Sequence, residues 1–340
     1  MDRSMKPPHL KSSAALFFVA VALSGSSQPA WGQAKTTISG WLRAGVEYFY
    51  NERFRENFYR GKVQFNVKAD KNLEAQIDIR GESDTHEMEL REAFLTVDLG
   101  KAEALDFGQN EKRFGVEFQK PKEKLLTAER TLLYRYLEPF GFVGRDVNFR
   151  YYRKAKPDGR RRGISLGLGY SEDHNVTAVG HSTRLNTIGS FALGASGVVQ
   201  IDKIAGGSQT AWALGGELLR DTEKHHVEIE AMIGQDPFES EFEKSFGDGK
   251  NVYFGGGKIL YGHYFTKSRL EPVVVSSLLV PDLDAFEVNT IEFLVGLNYY
   301  AASSLRIGLN GDLLLKTSAK NQDERTYAGS NVILQMQLSW

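Results

Sequence analysis

Cysteine is absent from all 340 residues of the chain. That excludes a disulfide framework and any thiolate metal site. Excess charge is absent too: 42 basic against 43 acidic side chains leave a formal net charge of −1. A nucleic-acid partner needs a strongly basic face, and the balance offers no sign of one. Mean hydropathy is negative, which excludes a helical membrane protein. Beyond residue 34 no apolar run approaches the roughly 20 residues that a spanning helix requires. Glycine and aromatic side chains are plentiful instead: 34 glycines, and 11% Phe, Trp and Tyr.

The first 34 residues read as an export signal. Arg3, Lys6 and Lys11 precede the apolar run Ala14 to Leu23, and "SGSSQPAWGQA" follows. A basic start, a short apolar stretch and small residues make a cleavable secretory signal. Cleavage is expected after Ala34, with Gly32 as the second choice, so residues 35–340 form the single mature domain.

That domain is written in a period of two. "RGKVQFNVKAD" sets Val63, Phe65, Val67 and Ala69 against Lys62, Gln64, Asn66 and Lys68. "ISGWLRAGVEYFY" puts Leu42, Ala44, Val46 and Tyr48 on one side, Arg43 and Glu47 on the other. Ile77 and Ile79 oppose Asp78 and Arg80; Ile291, Phe293 and Val295 oppose Glu292; Ile307 and Leu309 oppose Arg306 and Asn310. Strand side chains alternate between faces, so each segment is a ribbon with one oily and one polar face. "MELREAF", around Arg91, breaks the parity and reads as a bulge or a strand end outside the apolar band.

Short turns follow Ala69, Leu99, Arg220, Phe265 and Tyr300; longer stretches fall at about 117–143, 235–250 and 317–330. About sixteen strands result, each near the 9–11 residues of a tilted crossing strand. An even count with short turns on one rim and longer loops on the other describes a transmembrane antiparallel β-barrel. A soluble sandwich would alternate as well, with its apolar face inward. Three features favour the barrel. Charge is dense on consecutive polar faces. Aromatics gather at strand ends, as at Tyr48 to Tyr50, Tyr151 and Tyr152, and Tyr299 and Tyr300. The chain also opens on the export signal.

The sequence finishes on "NVILQMQLSW", with Val332, Leu334, Met336, Leu338 and Trp340 on one face. Hydrocarbon cannot satisfy an open sheet edge, so a barrel must pair its last strand with its first. This segment is expected to be that closing strand. It resembles the C-terminal signal of bacterial outer-membrane proteins, in which the terminal aromatic, here Trp340, is read by the barrel assembly machinery.

The resemblance narrows further. "LREAFLTVDLGKAEALDFGQNEKRFGVE" (90–117) is similar to a segment of the phosphate-selective porin O and P family: a strand, a tight turn, and a second strand running into a Gly-Gln-x-x-x-x-Phe-Gly motif. Here the motif spans Gly108 to Gly115, with Arg113 where the family commonly carries proline before the phenylalanine. "GRDVNFRYY" (144–152) and "VGLNYYAASSLRIGLN" (295–310) resemble two further family stretches. The likeness implies a passive outer-membrane porin of a Gram-negative bacterium, a homotrimer embedded in lipid and lipopolysaccharide. It also implies that the loop after the fifth strand folds into the lumen as the constriction.

In that loop Lys120, Lys122, Lys124, Arg130 and Arg135 are the candidate constriction cations, against Glu117, Glu123, Glu129 and Glu138. Arg43, Arg60, Lys62, Lys68, Arg80, Arg150 and Arg306 fall on lumen faces of the wall. Fixed charge at a narrow point selects ions by sign, and arginine's planar fork suits phosphate. Glu47, Glu74, Asp78, Glu82 and Glu292 share those faces, so many of the arginines are expected in cross-strand pairs that only stiffen the wall. Gly and Ser on the lumen faces of 163–170 and 192–200 are expected to leave free volume for a pore.

Catalysis finds no constellation. His181 and Ser182 point to opposite faces, as do His225 and His226; His181 and Thr183 share a face without an orienting group. No cofactor or metal is implied. The expected function is a passive water-filled channel for small hydrophilic solutes and ions, leaning toward anions. The alternative is a structural or adhesive barrel with a plugged lumen.

Overall fold

The computed structural model describes residues 34–50, 55–83, 87–154, 163–170, 176–188, 190–204, 207–235, 252–286, 289–317 and 330–340. The expected export signal lies outside these, apart from Ala34. The first strands are β1 (Lys35–Phe49), β2 (Arg55–Lys68), β3 (Leu73–Glu82), β4 (Glu87–Gly100), β5 (Glu103–Glu111) and β6 (Arg145–Arg153). They continue as β7 (Gly163–Tyr170), β8 (Val176–Ile188), β9 (Phe191–Ile204), β10 (Gly207–Asp221) and β11 (His225–Gln235). The last are β12 (Tyr253–His263), β13 (Leu270–Val280), β14 (Thr290–Ala302), β15 (Leu305–Lys316) and β16 (Asn331–Ser339). Each pairs antiparallel with its sequence neighbours and the sheet closes, giving the sixteen-stranded barrel that the alternation predicts.

Closure is made by β16 on β1, in register from Trp41 opposite Ser339 to Phe49 opposite Asn331. Trp340 extends the ladder by exchanging backbone hydrogen bonds of 3.1 and 3.0 Å with Gly40. The Trp340 ring lies across Gly40, where a Cβ would stand 2.7 Å from it.

The barrel is inside out relative to a soluble protein. Along β16, Gln335 and Gln337 are buried while Leu334, Met336 and Leu338 are exposed. The same inversion runs through Leu166 and Leu168, Leu214, Ile259, Val274, Val295 and Leu309, all outward and exposed. So continuous an apolar exterior is a surface for hydrocarbon, and its alternation with a polar interior is that of a membrane barrel.

Turn chemistry sets the short rim. Asp70 accepts the amides of Asn72 (2.6 Å) and Leu73 (2.9 Å), closing β2 onto β3. Between β4 and β5, Gly100, Lys101 and Ala102 all take positive φ. The parity break is a bulge: Asp78 faces Glu92 but Ile79 faces Leu90, leaving Arg91 as the extra residue.

The girdle expectation holds in part. Tyr48, Tyr50 and Tyr299 are exposed, whereas Tyr300 turns inward and donates to Glu271 at 2.5 Å.

Candidate pore constriction

Residues 112–144 connect β5 to β6 and run inside the barrel. They carry two short 3-10 turns, Glu117–Gln119 and Lys122–Lys124, and a six-residue helix, α1 (Leu132–Leu137). Entry into the lumen turns on Gly115, at φ +70°; a Cβ there would stand 2.1 Å from the Tyr134 hydroxyl.

Apolar packing holds the loop to one sector of the wall. Phe114, Phe118, Leu133, Tyr134 and Leu137 form one buried cluster with Val198 of β9, Ala211 and Ala213 of β10, Met232 of β11, Phe254 of β12 and Leu279 of β13. Leu133 sits over Gly256, where a Cβ would be 2.7 Å from its methyl. The missing side chain on β12 is what lets the helix approach.

A polar latch reinforces this packing. Lys258 of β12 is buried among three carboxylates: Glu117 of the loop at 2.5 Å, Glu228 at 3.3 Å and Glu230 at 3.7 Å. Glu117 also accepts the amide (3.1 Å) and hydroxyl (2.8 Å) of Thr131. Glu230 accepts from the Tyr134 hydroxyl (2.6 Å) and the Val116 amide (3.0 Å). Burial, with Glu230 and Glu117 close by, holds the Tyr134 hydroxyl in its neutral form, well above its ordinary pKa. At the helix N-terminus the Leu132 amide donates to Glu292 at 3.0 Å, and Arg135 pairs with Glu292 (2.5 Å) and Asp312 (2.9 Å).

Opposite this sector, a cavity of about 350 Å³ remains between the loop and the wall of β1 to β6. Nine basic side chains line it: Lys62, Arg80, Arg91, Arg113, Lys122, Arg130, Arg135, Arg145 and Arg150. Six acidic ones face them: Asp78, Glu92, Glu111, Glu123, Glu129 and Glu138. Trp41, Phe94 and Phe118 add aromatic faces, and the Arg130 guanidinium stacks 3.6 Å over the Phe118 ring.

Of the candidate constriction cations, Lys122, Arg130 and Arg135 line this cavity. Lys122 pairs with Glu129 at 2.6 Å and Arg130 with Glu111 at 3.1 Å. Burial pushes the Lys122 ammonium down to about 8, against the pull of Glu129. Burial alone would raise Glu129, but Lys122 and Arg60 outweigh it and hold the carboxyl at about 2. Lys120 points away to Glu228 and His226. Lys124 is exposed and outside the cavity.

The wall candidates separate into three groups. Lys62, Arg80 and Arg150 line the cavity in ion pairs: Lys62 with Asp78 (3.4 Å) and Glu123 (3.3 Å), Arg80 with Glu82 (2.5 Å), Arg150 with Asp106 through Nε at 3.0 Å. Close to them, Arg60 bridges Glu82 and Glu129. Arg43 and Arg306 face inward but are sealed beneath the loop: Arg43 donates to the Ala128 carbonyl (2.8 Å), Arg306 to that of Leu125 (2.6 Å), and both to Gln337. Lys68 stands at the short-turn rim, in a separate cavity of about 190 Å³ with Glu74, Asp98 and Lys154.

Parity alone misses Arg91, Arg113 and Arg145 as cavity groups. The bulge at Arg91 was the visible signal for the first, and the motif departure at Arg113 for the second. The free volume expected from glycine and serine on β7 and β9 is not left open. Ser196 accepts the Gly115 amide at 3.2 Å, and Ser165, Gly167 and Gly169 line a space of only about 10 Å³. The loop fills what those small side chains vacate.

His181 and Ser182 diverge as expected: His181 meets Gln119 and Glu217, while Ser182 donates to the Gly163 carbonyl. The side chain of Thr183 lies outside the described residues. His226 contacts Asp221 and Glu228, and His225 meets Tyr261 and His263.

No protein-family model matches the chain, and no curated protein matches it. The resemblance to the phosphate-selective family therefore rests on the motifs alone. Solved structures do match. OmpT of Vibrio cholerae, in its trimer form, is 13% identical, covering 90% of this chain and 99% of that one, with a TM-score of 0.64. An anion-selective porin from Comamonas acidovorans is 11% identical, covering 91% of this chain and 100% of that one, with a TM-score of 0.64. The outer membrane channel DcaP of Acinetobacter baumannii is 13% identical, covering 90% of this chain and 97% of that one, with a TM-score of 0.62. The chain has the closed sixteen-stranded fold of the bacterial outer-membrane porins.

Proposed function

We propose that the chain is a passive, non-enzymatic channel for small hydrophilic solutes and ions across a Gram-negative outer membrane, with a modest preference for anions. The observation that carries this reading is the cavity between loop and wall, where nine cations face six anions. Rings of opposed fixed charge at a narrowing discriminate ions by sign and leave the path open to water. The Comamonas acidovorans neighbour is an anion-selective porin, and the Vibrio cholerae neighbour is found as a trimer. The first supports the anion preference proposed here, and the second supports a homotrimer. Phosphate selectivity, the finer implication of the motifs, belongs to this proposal as its most specific form. Trp340, at the end of the closing strand, is proposed as the mark read by the assembly machinery.

The test is reversal potential in a potassium chloride gradient as a function of pH. Lys122, with its ammonium pushed down to about 8, is charged at neutral pH and largely neutral about two units higher. Raising the pH across that range removes one of the cavity's cations, so the reversal potential shifts toward cations. Lys122→Gln is expected to start at the shifted value and lose the step. A reversal potential that moves toward anions over the same range would contradict the role given to Lys122.

A further inference from the structure

His225 diverges from its neighbour His226, and the imidazole it meets comes from the next strand. His225 of β11 and His263 of β12 stand directly opposite each other in the ladder. The adjacent Tyr264 amide donates to the Lys224 carbonyl at 2.8 Å. His225 and His263 are therefore a non-hydrogen-bonded pair, the type whose side chains come closest. Their ring centroids are 4.6 Å apart and their Nδ1 atoms 3.3 Å apart. The Tyr261 hydroxyl lies 3.1 Å from the same His225 Nδ1. The Phe265 ring packs edge-on against His263, centroids 4.4 Å apart. Thr222 pins the His225 backbone through bonds of 2.9 and 3.1 Å. Two imidazole nitrogens and a phenol oxygen thus gather on the outer face of the barrel, where Tyr261 is exposed. The exposed turn residues Glu223, Lys224 and Lys267 put them at the short-turn rim, within reach of water.

We propose that His225, His263 and the Tyr261 hydroxyl bind a divalent transition metal of the zinc class, with water completing the shell. Two nitrogens each about 2.0–2.1 Å from a zinc ion at the tetrahedral angle stand about 3.3 Å apart. The two Nδ1 atoms already have that separation. A square-planar ion at similar bond lengths would require about 2.9 Å. Among the described residues no group of three His, Asp or Glu side chains could hold a metal ion, so the third protein ligand here is a phenol. A structural zinc site is closed by four protein ligands. This one, with three, keeps a position open, which suits an ion that is taken up and released. The site lies outside the lumen and does not depend on whether the channel conducts.

The test is calorimetric titration of zinc into the folded, detergent-solubilised full chain near neutral pH, after chelator treatment. The parent is expected to show a saturable site. His225→Ala and His263→Ala each weaken it about tenfold or more, the scale of a lost metal contact. Tyr261→Phe weakens it less, by a few-fold. Zinc must displace the proton that the two imidazoles share, so lowering the pH by about two units weakens binding as well. Cobalt(II) gives a second readout: the strong visible absorption of a four-coordinate ion appears in the parent and is lost in His263→Ala. His226→Ala is expected to bind zinc like the parent, because that side chain turns the other way, to Asp221 and Glu228. No saturable binding by the parent overturns the site and leaves the two imidazoles as a hydrogen-bonded pair. Parent-like affinity in His263→Ala overturns it too, as does a loss found in His226→Ala but not in His263→Ala. Should His263→Ala fail to fold, His263→Gln is judged by the same criterion.

Discussion

Lys258→Met is expected to loosen the constriction loop more than any other single wall substitution. Lys258 is buried among Glu117, Glu228 and Glu230. Removing it leaves three carboxylates crowded in a space from which water is largely excluded. Breaking a buried ion pair by deleting one partner costs about 3–5 kcal/mol, because the remaining charge is stranded. The loss falls on the contact between loop and wall, since Glu117 belongs to the loop and the other groups to β11 and β12. The expected result is a lower thermal unfolding midpoint and a larger, noisier conductance. Adding Glu228→Gln and Glu230→Gln to Lys258→Met is expected to recover part of the midpoint, because neutral amides need no cation. A midpoint unchanged in Lys258→Met would mean that the latch does not hold the loop.

Leu133→Asp attacks the same contact from its apolar side. Leu133 is fully buried, packed over Gly256 in the cluster with Phe254 and Leu279. An unpaired carboxylate there faces a desolvation cost of several kcal/mol. The six-residue helix has little intrinsic stability to set against that cost. The helix is expected to leave the wall, giving a several-fold change in single-channel conductance and weaker ion discrimination. The barrel strands keep their own pairing, so the β-sheet circular dichroism persists. Leu133→Met, which conserves volume, costs under about 1.5 kcal/mol and is expected to conduct like the parent. Equal conductance in Leu133→Asp and the parent would show that the helix does not narrow the path.

The fold was legible in the sequence because a membrane barrel writes its two environments into alternate residues. Strand number and closure by "NVILQMQLSW" follow from that period, and of the two readings it left for the parity break at Arg91, a bulge or a strand end, the pairing register shows the bulge. The sector that carries the loop was not legible, for a physical reason. On β13, "LEPVVVSSLLV", Val273, Val275 and Leu279 face inward while Val274 and Leu278 face outward. With lipid on one face and the loop's apolar side on the other, alternation disappears. Parity could place Arg43 and Arg306 on the lumen face, yet it could not reveal the loop carbonyls that cover them. Lumen-facing charge and pore-facing charge are different properties, and only the path of residues 112–144 separates them.

Whether the cavity between loop and wall conducts is decided by single-channel recording of the purified, folded chain in a planar bilayer under a potassium chloride gradient. The nine-to-six charge balance of the cavity predicts discrete conductance steps with a reversal potential directed toward anions. No steps from a correctly folded barrel would contradict the channel and favour a plugged structural barrel. Steps with a cation-directed reversal would contradict the assignment of that cavity as the selective path.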